Sequence, residues 1–399
     1  MRNVVLLSAL GAFTDYALGS SLNKYSSKYD MIEFTNVGFS GTYQPVASLK
    51  DVTKDSCTCE VGDRVSFSGT NAPISDYVSV HFRGPLSLSQ FAFYTSDDFV
   101  IDSNSSSSWS RQAYYDSSSQ TGENVTFLTK AGTDSPCLGK ALTYSDDTGI
   151  ASASDATLLG SDNLIHSDDE YVIFSNISCP SSKASNGCGV YRSGIPAYYG
   201  FYGTTKMFLF EFEMPTETET NSTSFSYYDL PAIWLLNDHI PRTSQYPSNT
   251  NCSCWASGCG EFDIFEVMNA TERNHFYSSF HTFQGISNIQ DGIQAHGYIQ
   301  RNTTNTMRGG VIFDSNGEVV TFLSDSTTFD DELSASTIND ILEEFSSKEI
   351  YSTKLASVVA ASTTSSSSKS GGAAFLAKPS GLWYYCFTAF AAVSQIFFI

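Results

Sequence analysis

The sequence predicts an all-β protein built around a β-sandwich. Residues 207–214 and 275–283 alternate between apolar and polar side chains with a period of two, which is typical of half-buried strands. Residues 260–267 alternate large apolar side chains with acids, which also indicates a strand with one face toward a core. Helical spacing of apolar residues occurs over 336–346, where Ser336 is the expected N-terminal cap.

The composition limits the partners that the protein can bind. Its 399 residues include 21 Lys and Arg against 42 Asp and Glu, which gives a formal net charge of −21 at pH 7. Such a charge disfavours nucleic acids and anionic membrane surfaces, whereas a neutral polysaccharide is indifferent to it. The length allows either two domains or one large β-sandwich with additions.

The N-terminus predicts export. Residues 1–19 combine a positive charge at Arg2, an apolar centre over 4–10 and small residues at 17–19, which is typical of a cleaved signal peptide. The alternative is a buried N-terminal strand. Seven Asn-x-Ser/Thr sequons support export, because so many rarely occur together by chance. The predicted glycosylation sites are Asn104, Asn124, Asn176, Asn221, Asn251, Asn269 and Asn302.

The C-terminus predicts a lipid anchor. Residues 356–371 form a Ser/Thr-rich stalk, and the apolar run 382–399 ends without a following basic residue. This order is typical of a glycosylphosphatidylinositol (GPI) signal, with attachment at Gly371 or Gly372 and removal of the tail 372–399. The alternative is a transmembrane helix. The mature protein is therefore expected at the cell surface, with the GPI lipid as a covalent partner.

The nine cysteines fall into two groups. Cys386 lies in the tail, and the other eight make an even count, which predicts four disulfides in an exported protein. Cys252, Cys254 and Cys259 could alternatively bind zinc, but the chain has no Cys-x-x-Cys pair. Disulfides here would hold the loop that carries Trp255 to the acidic strand. The eight cysteines are Cys57, Cys59, Cys137, Cys179, Cys188, Cys252, Cys254 and Cys259.

The polar, Ser-rich residues 102–121 are predicted to separate two domains. Before them, residues 20–101 carry short alternating segments between Gly, Ser and Pro turns. This part is expected to form a small β domain without chemistry, in which His81 is structural or exposed. After the boundary, residues 122–355 are expected to form the main sandwich, and Glu217 falls in a polar loop where it is expected to be solvated.

The acidic strand holds Glu261, Asp263 and Glu266. Glu261 and Asp263 are two apart and share one face, whereas Glu266 would turn inward in a regular strand. A β-bulge near Ile264 and Phe265 absorbs one residue and returns Glu266 to that face. Three acids on one face repel each other, but a glycosidase needs two carboxyl groups about 5 Å apart with unequal pKa values. The alternative is a solvated acidic edge strand.

Other chemistries find little support in the sequence. It contains no Gly-x-Ser-x-Gly elbow, no phosphate-binding glycine loop and no His-Glu-x-x-His motif. His275 and His281 could bind zinc together with an acid, but a histidine pair on one strand is usually hydrogen-bonded structure. No cofactor is predicted.

Two resemblances add to these observations. Residues 260–266, Gly-Glu-Phe-Asp-Ile-Phe-Glu, resemble the active-site strand of laminarinases in glycoside hydrolase family 16, and residues 230–236 resemble the strand before it. Almost the whole chain is similar to the fungal Tos-type cell-wall proteins, a family associated with β-1,3-glucanase activity. The motifs that carry this similarity are His-Phe-Arg-Gly-Pro-Leu at 81–86, Tyr-Gly-Phe-Tyr-Gly at 199–203, Ile-Pro-Arg-Thr at 240–243 and the cysteine-rich segment 252–261.

The resemblance implies a jelly-roll, concanavalin A-like sandwich with a cleft on its concave sheet. It also implies retaining hydrolysis or transglycosylation of β-1,3-glucan in a fungal cell wall, by a monomeric enzyme of the endo-β-1,3-glucanase type. Glu261 would then be the nucleophile and Glu266 the general acid/base, while Asp263 would orient Glu261 and adjust both pKa values. The competing class is a GPI-anchored wall protein that binds glucan without cleaving it.

Aromatic side chains near the acids are the predicted sugar-facing residues, because aromatic faces stack on the CH groups of pyranose rings. Residues 232–236 are wholly apolar and predict a central strand, so Trp234 is equally expected in the core. The predicted substrate-binding residues are Trp234, Trp255, Tyr277 and His281.

Overall fold

Two large β-sheets carry most of the regular structure. The computed structural model describes residues 27–247 and 249–358, and the regular secondary structure of this part consists mainly of strands, with a single α-helix. These elements confirm the predicted all-β sandwich.

The strands are numbered in chain order. The first twelve are β1 (Lys28–Tyr29), β2 (Met31–Thr35), β3 (Gly41–Tyr43), β4 (Val46–Lys50), β5 (Thr58–Val61), β6 (Val65–Phe67), β7 (Val78–Arg83), β8 (Ser87–Thr95), β9 (Trp109–Asp116), β10 (Thr121–Glu123), β11 (Thr126–Thr129) and β12 (Thr143–Ser145). The others are β13 (Ser152–Ala153), β14 (Glu170–Phe174), β15 (Lys206–Glu213), β16 (Ala232–Asn237), β17 (Glu261–Glu266), β18 (His275–His281), β19 (Ile293–Gln294), β20 (Tyr298–Gln300), β21 (Met307–Phe313), β22 (Val319–Leu323), β23 (Glu332–Leu333) and β24 (Ile350–Lys354). Short 3-10 helices span Thr250–Cys252, Trp255–Ser257 and Ile289–Asp291, and the helix α1 spans Ala335–Leu342.

The front sheet has eleven strands in the order β1-β20-β18-β17-β16-β7-β14-β11-β12-β13, with β19 paired to β18. The back sheet has nine strands in the order β10-β9-β8-β15-β21-β22-β2-β24, with β23 paired to β9. The pair β1–β20 in the front sheet and the pair β2–β24 in the back sheet are parallel. All other neighbouring strands in the two sheets are antiparallel. Two separate two-stranded pairs, β3–β6 and β4–β5, complete the strands.

Aromatic side chains join the two sheets face to face. Phe34 of β2 meets Phe262 of β17 and Phe280 of β18 at ring-centroid distances of 6.0 and 5.1 Å, with the rings nearly perpendicular at 86° and 90°. Edge-to-face contacts of this kind add to the free energy that burial alone contributes. Phe262 and Phe265 both belong to this core. The acids that alternate with them in β17 must therefore lie on the outer face of the front sheet.

Residues 20–101 do not form the separate small β domain that the sequence predicts. β7 lies inside the front sheet between β16 and β14, and β2 and β8 lie in the back sheet. Val80 and Phe82 of β7 are fully buried in the core shared with the later strands. Burial of this apolar surface joins the segment to the rest of the sandwich in one compact unit.

The predicted elements lie close to their expected positions. The four strands expected over 207–214, 232–236, 260–267 and 275–283 are β15, β16, β17 and β18. β16 is buried along its whole length and is central in the front sheet, as its apolar sequence indicates. The helix begins earlier than expected, because the extended Ser334, and not Ser336, accepts the Thr337 backbone N–H at 3.0 Å and caps it.

A buried polar network fixes the loop between β15 and β16. Ser167 Oγ donates to Glu217 at 2.6 Å and accepts the Asp229 backbone N–H at 2.9 Å, while His166 Nδ1 lies 2.9 Å from the second Glu217 oxygen. Arg301 Nη2 donates to Asp229 at 2.9 Å. Glu217 is 7% exposed and is therefore not solvated as predicted. Burial alone would raise the pKa of Glu217, but hydrogen bonds from backbone N–H groups, Ser167 and His166 lower it to about 2.

All eight predicted cysteines form disulfides. Cys252 pairs with Cys59, and Cys254 pairs with Cys259, so the alternative zinc site at these positions is wrong. Three sulfur atoms, those of Cys59, Cys137 and Cys252, lie within 4.8 Å of one another, but each is already bonded in a disulfide. The four bridges are Cys57–Cys137, Cys59–Cys252, Cys179–Cys188 and Cys254–Cys259.

Six of the seven sequon asparagines are exposed on the described surface. The exception is Asn269, which is half-buried and donates from its side-chain amide to Glu272 at 2.9 Å. Glycosylation at these sites remains a prediction.

Several predictions at the ends of the chain lie outside the described residues. These are the signal peptide over 1–19, the stalk from residue 359 onward and the GPI tail over 372–399, with its attachment site Gly371 and with Cys386. Within residues 27–247 and 249–358, no helix combines the length and the apolar character that crossing a bilayer requires.

Candidate active site

The predicted β-bulge is present in β17. Asp263 lies opposite Trp234 of β16 and Phe265 lies opposite Ile233, so Ile264 has no partner in the register. The same irregularity appears toward β18, between Asp263 and Glu266. The extra residue restores the period of two, because it returns Glu266 to the face that carries the other two acids.

The outer face of β17 forms part of the wall of a cavity of about 530 Å³. Glu261, Asp263 and Glu266 all line it. Trp234 and His81, which follow Asp263 in register across β16 and β7, also line it. A cavity of this size encloses a ligand comparable to a short oligosaccharide. The acidic strand is therefore a cavity wall and not a solvated edge.

Glu261 is 3% exposed and accepts a hydrogen bond at each carboxylate oxygen. Gln245 Nε2 donates to Oε1 at 2.6 Å, and the Trp255 indole N–H donates to Oε2. Burial, followed by the charge of Asp263, raises the pKa of Glu261 to about 8. In this arrangement both partners donate N–H groups to Glu261, and the Trp255 indole can only donate, so the hydrogen bonds favour the ionised form.

Glu266 is more open to the cavity, with a side chain that is 23% exposed. Among the described residues it forms one ion pair, with Arg83 of β7, whose Nη2 lies 3.3 Å from Oε1. Burial and the charge of Asp263 raise the pKa of Glu266 to about 7, although Arg83 opposes them. The order of these pKa values places a shared proton on Glu261, although the Trp255 hydrogen bond already opposes the rise there. The second oxygen of Glu266, which has no hydrogen-bond partner in the part of the chain that the structure describes, argues instead that Glu266 carries the proton.

Asp263 has a cationic partner in His281 of β18. His281 Nε2 lies 3.2 Å from the Asp263 carboxylate, and Nδ1 donates to the Ile289 carbonyl at 2.8 Å. Burial alone would lower the pKa of His281, but Asp263 and Glu261 raise it to about 10. The imidazole is therefore an imidazolium at neutral pH and supplies a positive charge between two acids.

Trp255 reaches Glu261 because a disulfide closes its loop. Cys254 and Cys259 bridge over the intervening turn, and Gly258 adopts a left-handed φ of 95° within it. A Cβ atom at Gly258 would lie 2.6 Å from the ring of Phe283, so glycine is required there for space as well. This confirms that oxidised Cys254 and Cys259 belong to the loop that carries Trp255 to the acidic strand.

The other predicted sugar-facing residues have different outcomes. Trp234 is 5% exposed and lines the cavity, and its indole N–H has no hydrogen-bond partner among the described residues. His281 also lines the cavity. Tyr277 is 1% exposed, is absent from the described lining, and donates its hydroxyl to Glu272 at 3.2 Å. Tyr277 therefore lies outside the described cavity wall, and its contact with sugar stays a prediction.

Two residues of β7 were missed as site residues. His81 is 1% exposed, lines the cavity and lies with its ring centroid 5.2 Å from that of Trp234. Burial, followed by the charges of Lys130 and Arg242, lowers the pKa of His81, so the ring is neutral. Arg83 lines the same cavity. The available signal was the motif at 81–86, in which the two residues are two apart on a strand and share a face.

Loop residues complete the cavity wall. Gln245 holds Glu261, and Tyr246 packs edge-on against Trp255 at a centroid distance of 5.0 Å and an angle of 75°. The ring of Tyr227 also lines the cavity and lies 4.4 Å from the Arg83 guanidinium, measured to the ring centroid. No local pattern marked these three residues, because they approach the site from two loops outside the acidic strand.

Comparison with known proteins places the whole chain in a set of related sequences. A family model described as cell wall protein YJL171C/Tos1, C-terminal, matches residues 107–341, and its N-terminal counterpart matches residues 30–96. The boundary between these models falls near the Ser-rich segment predicted to separate two domains, although the strands on either side share both sheets. No solved structure matches the chain.

Three relatives illustrate the range of similarity. "Probable circularly permuted 1,3-beta-glucanase YJL171C" of Saccharomyces cerevisiae is 62% identical over 93% of this chain and 94% of its own length. "Probable circularly permuted 1,3-beta-glucanase PGA52" of Candida albicans is 55% identical over 89% of this chain and 91% of its own. "Probable circularly permuted 1,3-beta-glucanase TOS1" of Saccharomyces cerevisiae is 29% identical over 88% of this chain and 96% of its own.

Proposed function

The chain belongs to the YJL171C/Tos1 family of cell wall proteins, and on that premise we propose that it cleaves or transfers β-1,3-glucan with retention of anomeric configuration. The observation that carries the proposal is the cavity lined by Glu261, Asp263 and Glu266 from one face of β17. The names of the relatives support glucan as the substrate, and the laminarinase-like sequence of β17 supports the retaining chemistry.

The charges of the site suit a retaining mechanism. Among the described residues, the acids of β17 form ion pairs with two cations, Glu266 with Arg83 and Asp263 with His281. With one proton among the three acids, this cluster of five side chains is electrically neutral, which is the state that burial favours. One proton is also what the reaction requires, since one carboxyl group must attack as an anion while another donates a proton.

The hydrogen bonds support one assignment of the two roles. Glu261, held as a carboxylate by Trp255 and Gln245, attacks the anomeric carbon and forms a glycosyl ester. Glu266 donates its proton to the leaving glycosidic oxygen, and then takes one from water or from an acceptor hydroxyl that attacks the ester. Asp263 and the His281 imidazolium pair with each other and act on Glu261 through their charges. The indole N–H of Trp234 is free to donate to a sugar hydroxyl in the cavity.

The first and last strands of the back sheet in chain order fit the description of the relatives as circularly permuted. β2 and β24 are parallel neighbours, so the end of β24 lies beside Thr35, four residues along β2 from Met31. A short linker could span this distance if a chain were rejoined there and reopened elsewhere without changing the core. We therefore extend the permuted arrangement named for the relatives to this chain.

The direct test is the product of the first turnover. Purified protein is incubated with β-1,3-gluco-oligosaccharides, and NMR records the anomer that forms before mutarotation. Retention gives the β-anomer first. An initial α-anomer would show inversion and contradict the mechanism. Absence of any product, with glucan binding intact, would favour the alternative of a non-catalytic glucan-binding wall protein.

Removing the charge of Arg83 is expected to shift the pH dependence. Arg83 opposes the rise in the pKa of Glu266, so Arg83→Gln raises that pKa further. The acid is active when protonated, and activity is lost as pH rises through its pKa. The alkaline limb of kcat/KM therefore moves to higher pH in Arg83→Gln.

Arg83→Lys is the matched control for this shift. Both variants lose the hydrogen bond from Arg83 Nε to the Leu230 carbonyl at 2.7 Å, but only lysine keeps the charge. The alkaline limb of kcat/KM in Arg83→Lys should stay nearer the wild-type position. If the alkaline limbs of the two variants lie at the same pH, the charge of Arg83 does not act on Glu266.

The proposed location is the cell wall or surface, with a GPI anchor attached at Gly371. The motivation is the Ser/Thr-rich stalk and the apolar tail 382–399 in the sequence. Treating membranes with a GPI-specific phospholipase should release the protein into the soluble fraction. Detection of residues 382–399 in the mature protein by mass spectrometry would contradict the anchor.

A further inference from the structure

A second cavity adjoins the catalytic one. It has a volume of about 460 Å³. Four residues line both cavities, and they mark the junction: Lys130, Lys140, Glu170 and Tyr227. Shared walls of this kind make the two cavities consecutive parts of one groove.

The path from the acid to the junction follows the register of the front sheet. Glu266 lies opposite Ala232, Ala232 opposite Arg83, and Arg83 opposite Glu170. Three strand spacings separate β17 from β14, which is about 14 Å at the usual distance between neighbouring strands. Glu170 then accepts from Lys130 Nζ at 2.6 Å. The junction is therefore more than one sugar residue away from the acid, across the strands.

Tyr227 is held in place at this junction by its backbone. Asp168, in a left-handed conformation with φ of 68°, accepts the Tyr227 N–H at 2.6 Å and the Ser226 N–H at 2.7 Å. The side chain of Tyr227 is 41% exposed, and Arg83 covers one part of its ring. A large aromatic side chain fixed in this way offers a stacking surface at a low cost in conformational entropy.

The chemistry of the second cavity suits sugar hydroxyls. Lys130, Lys140, Asp168, Asp169 and Glu170 supply charged donors and acceptors along its wall. Hydrogen bonds between charged groups and hydroxyls are stronger than those between neutral groups. Aromatic stacking at Tyr227 would add apolar contact with the sugar ring.

We propose that the second cavity binds further glucosyl residues of the same β-1,3-glucan chain, and that Tyr227 determines the preference for longer chains. This inference rests on the proposed function of the catalytic cavity. The chain would run from Glu266 across Arg83 and over Tyr227 into the second cavity. The protein would then cleave long β-1,3-glucans in preference to short ones.

The test compares substrate lengths in a variant that fills the second cavity. Ala131 is exposed and lines the second cavity but not the first. The measured quantity is the ratio of kcat/KM for long and short β-1,3-gluco-oligosaccharides. In the wild type this ratio should exceed one, and Ala131→Trp should lower it by about tenfold, equivalent to 1.4 kcal/mol of binding. Tyr227→Ala should lower it as well, and Tyr227→Phe should keep it.

Ala156→Trp provides the control, since Ala156 is exposed and lines neither cavity. It should leave the ratio at its wild-type value. A wild-type ratio of one, or equal losses on short and long substrates in Ala131→Trp, would overturn the inference while leaving the proposed function intact. Absence of cleavage at every length would instead mean that the proposed function itself fails.

Discussion

Glu261→Gln and Glu266→Gln are each expected to lower kcat on β-1,3-glucan by on the order of a thousandfold. Glutamine keeps the size of the side chain but can neither attack as an anion nor donate an acidic proton. Both positions line the same cavity, so binding of glucan should persist. Glu213→Gln is the matched control, because Glu213 is an exposed glutamate at the end of β15 in the back sheet, and it should leave kcat unchanged.

The two variants should differ with an activated aryl β-glycoside. A good leaving group needs little protonation, so Glu266→Gln should still form the glycosyl ester on Glu261, and mass spectrometry should detect it. Glu261→Gln has no nucleophile and should form none. The opposite pattern would exchange the two roles and contradict the assignment drawn from the hydrogen bonds of Trp255 and Gln245 to Glu261.

Azide distinguishes the roles a second time. In Glu266→Gly, azide should attack the ester on Glu261 and give a β-configured glycosyl azide, because two inversions restore the configuration. In Glu261→Gly, azide should take the place of the missing nucleophile and give the α-azide in one inversion. Wild-type enzyme with azide serves as the control for uncatalysed exchange. Identical products from the two variants would show that the carboxyl groups do not act in sequence.

The acidic strand is the part of the site that the sequence predicted best. The side-chain period of two and the extra residue between Asp263 and Glu266 are both local properties of the sequence. Counting from Glu261 to Glu266 was therefore enough to require a bulge near Ile264. The even number of cysteines predicted four disulfides for the same reason, since a count needs no geometry. Their pairing did require geometry, because Cys59 and Cys252 are 193 residues apart.

The neighbours of the acidic strand could not be predicted from local pattern. His81 and Arg83 belong to β7, and nothing in the sequence near them shows that β7 pairs with β16. Strand order is decided by burial of whole faces, here Val80 and Phe82 in the shared core. Burial of whole faces also explains why no separate N-terminal domain forms. A Ser-rich segment does not prevent the strands on either side of it from sharing sheets.

Periodicity also predicts which face a side chain takes but not what covers that face. Tyr277 lies opposite Glu266 as the alternation in β18 requires, yet it is buried, bonded to Glu272 and absent from the described cavity wall. Glu217 lies in a polar, Thr-rich loop that predicted exposure to solvent, but Ser167 and His166 surround it. The burial of Glu217 depends on a segment about 50 residues away, which no local pattern shows.

Asp229→Ala is expected to cost about 3–5 kcal/mol in the free energy of unfolding, because it leaves a buried guanidinium without its counterion. The side chain of Arg301 is fully buried, and Asp229 is its one ion-pair partner among the described residues. Burial lowers the pKa of Arg301, and Asp229 opposes that shift. The other acceptors of Arg301 are neutral carbonyls, among them that of Met214 at 2.9 Å.

Asp331→Ala provides the matched control in the same measurement. Asp331 pairs with Arg111 through a side chain that is 86% exposed, so its loss should cost no more than about 1 kcal/mol. Urea unfolding followed by fluorescence gives both values, and the double variant Asp229→Ala with Arg301→Met should recover part of the loss. Equal costs at Asp229 and Asp331 would show that burial does not decide the strength of these pairs.

The same variant links stability to the proposed groove. Asp229 lies two residues after Tyr227, and its backbone N–H is bonded to Ser167 in the buried network. Loss of the Asp229 contacts should let the loop that carries Tyr227 move before the sandwich unfolds. The strands β16 and β17 should stay in place, because their apolar side chains are buried in the core. Below its unfolding midpoint, Asp229→Ala should therefore lose activity on long β-1,3-glucans more than on short ones. If the loss is the same at both lengths, the loop does not act through Tyr227.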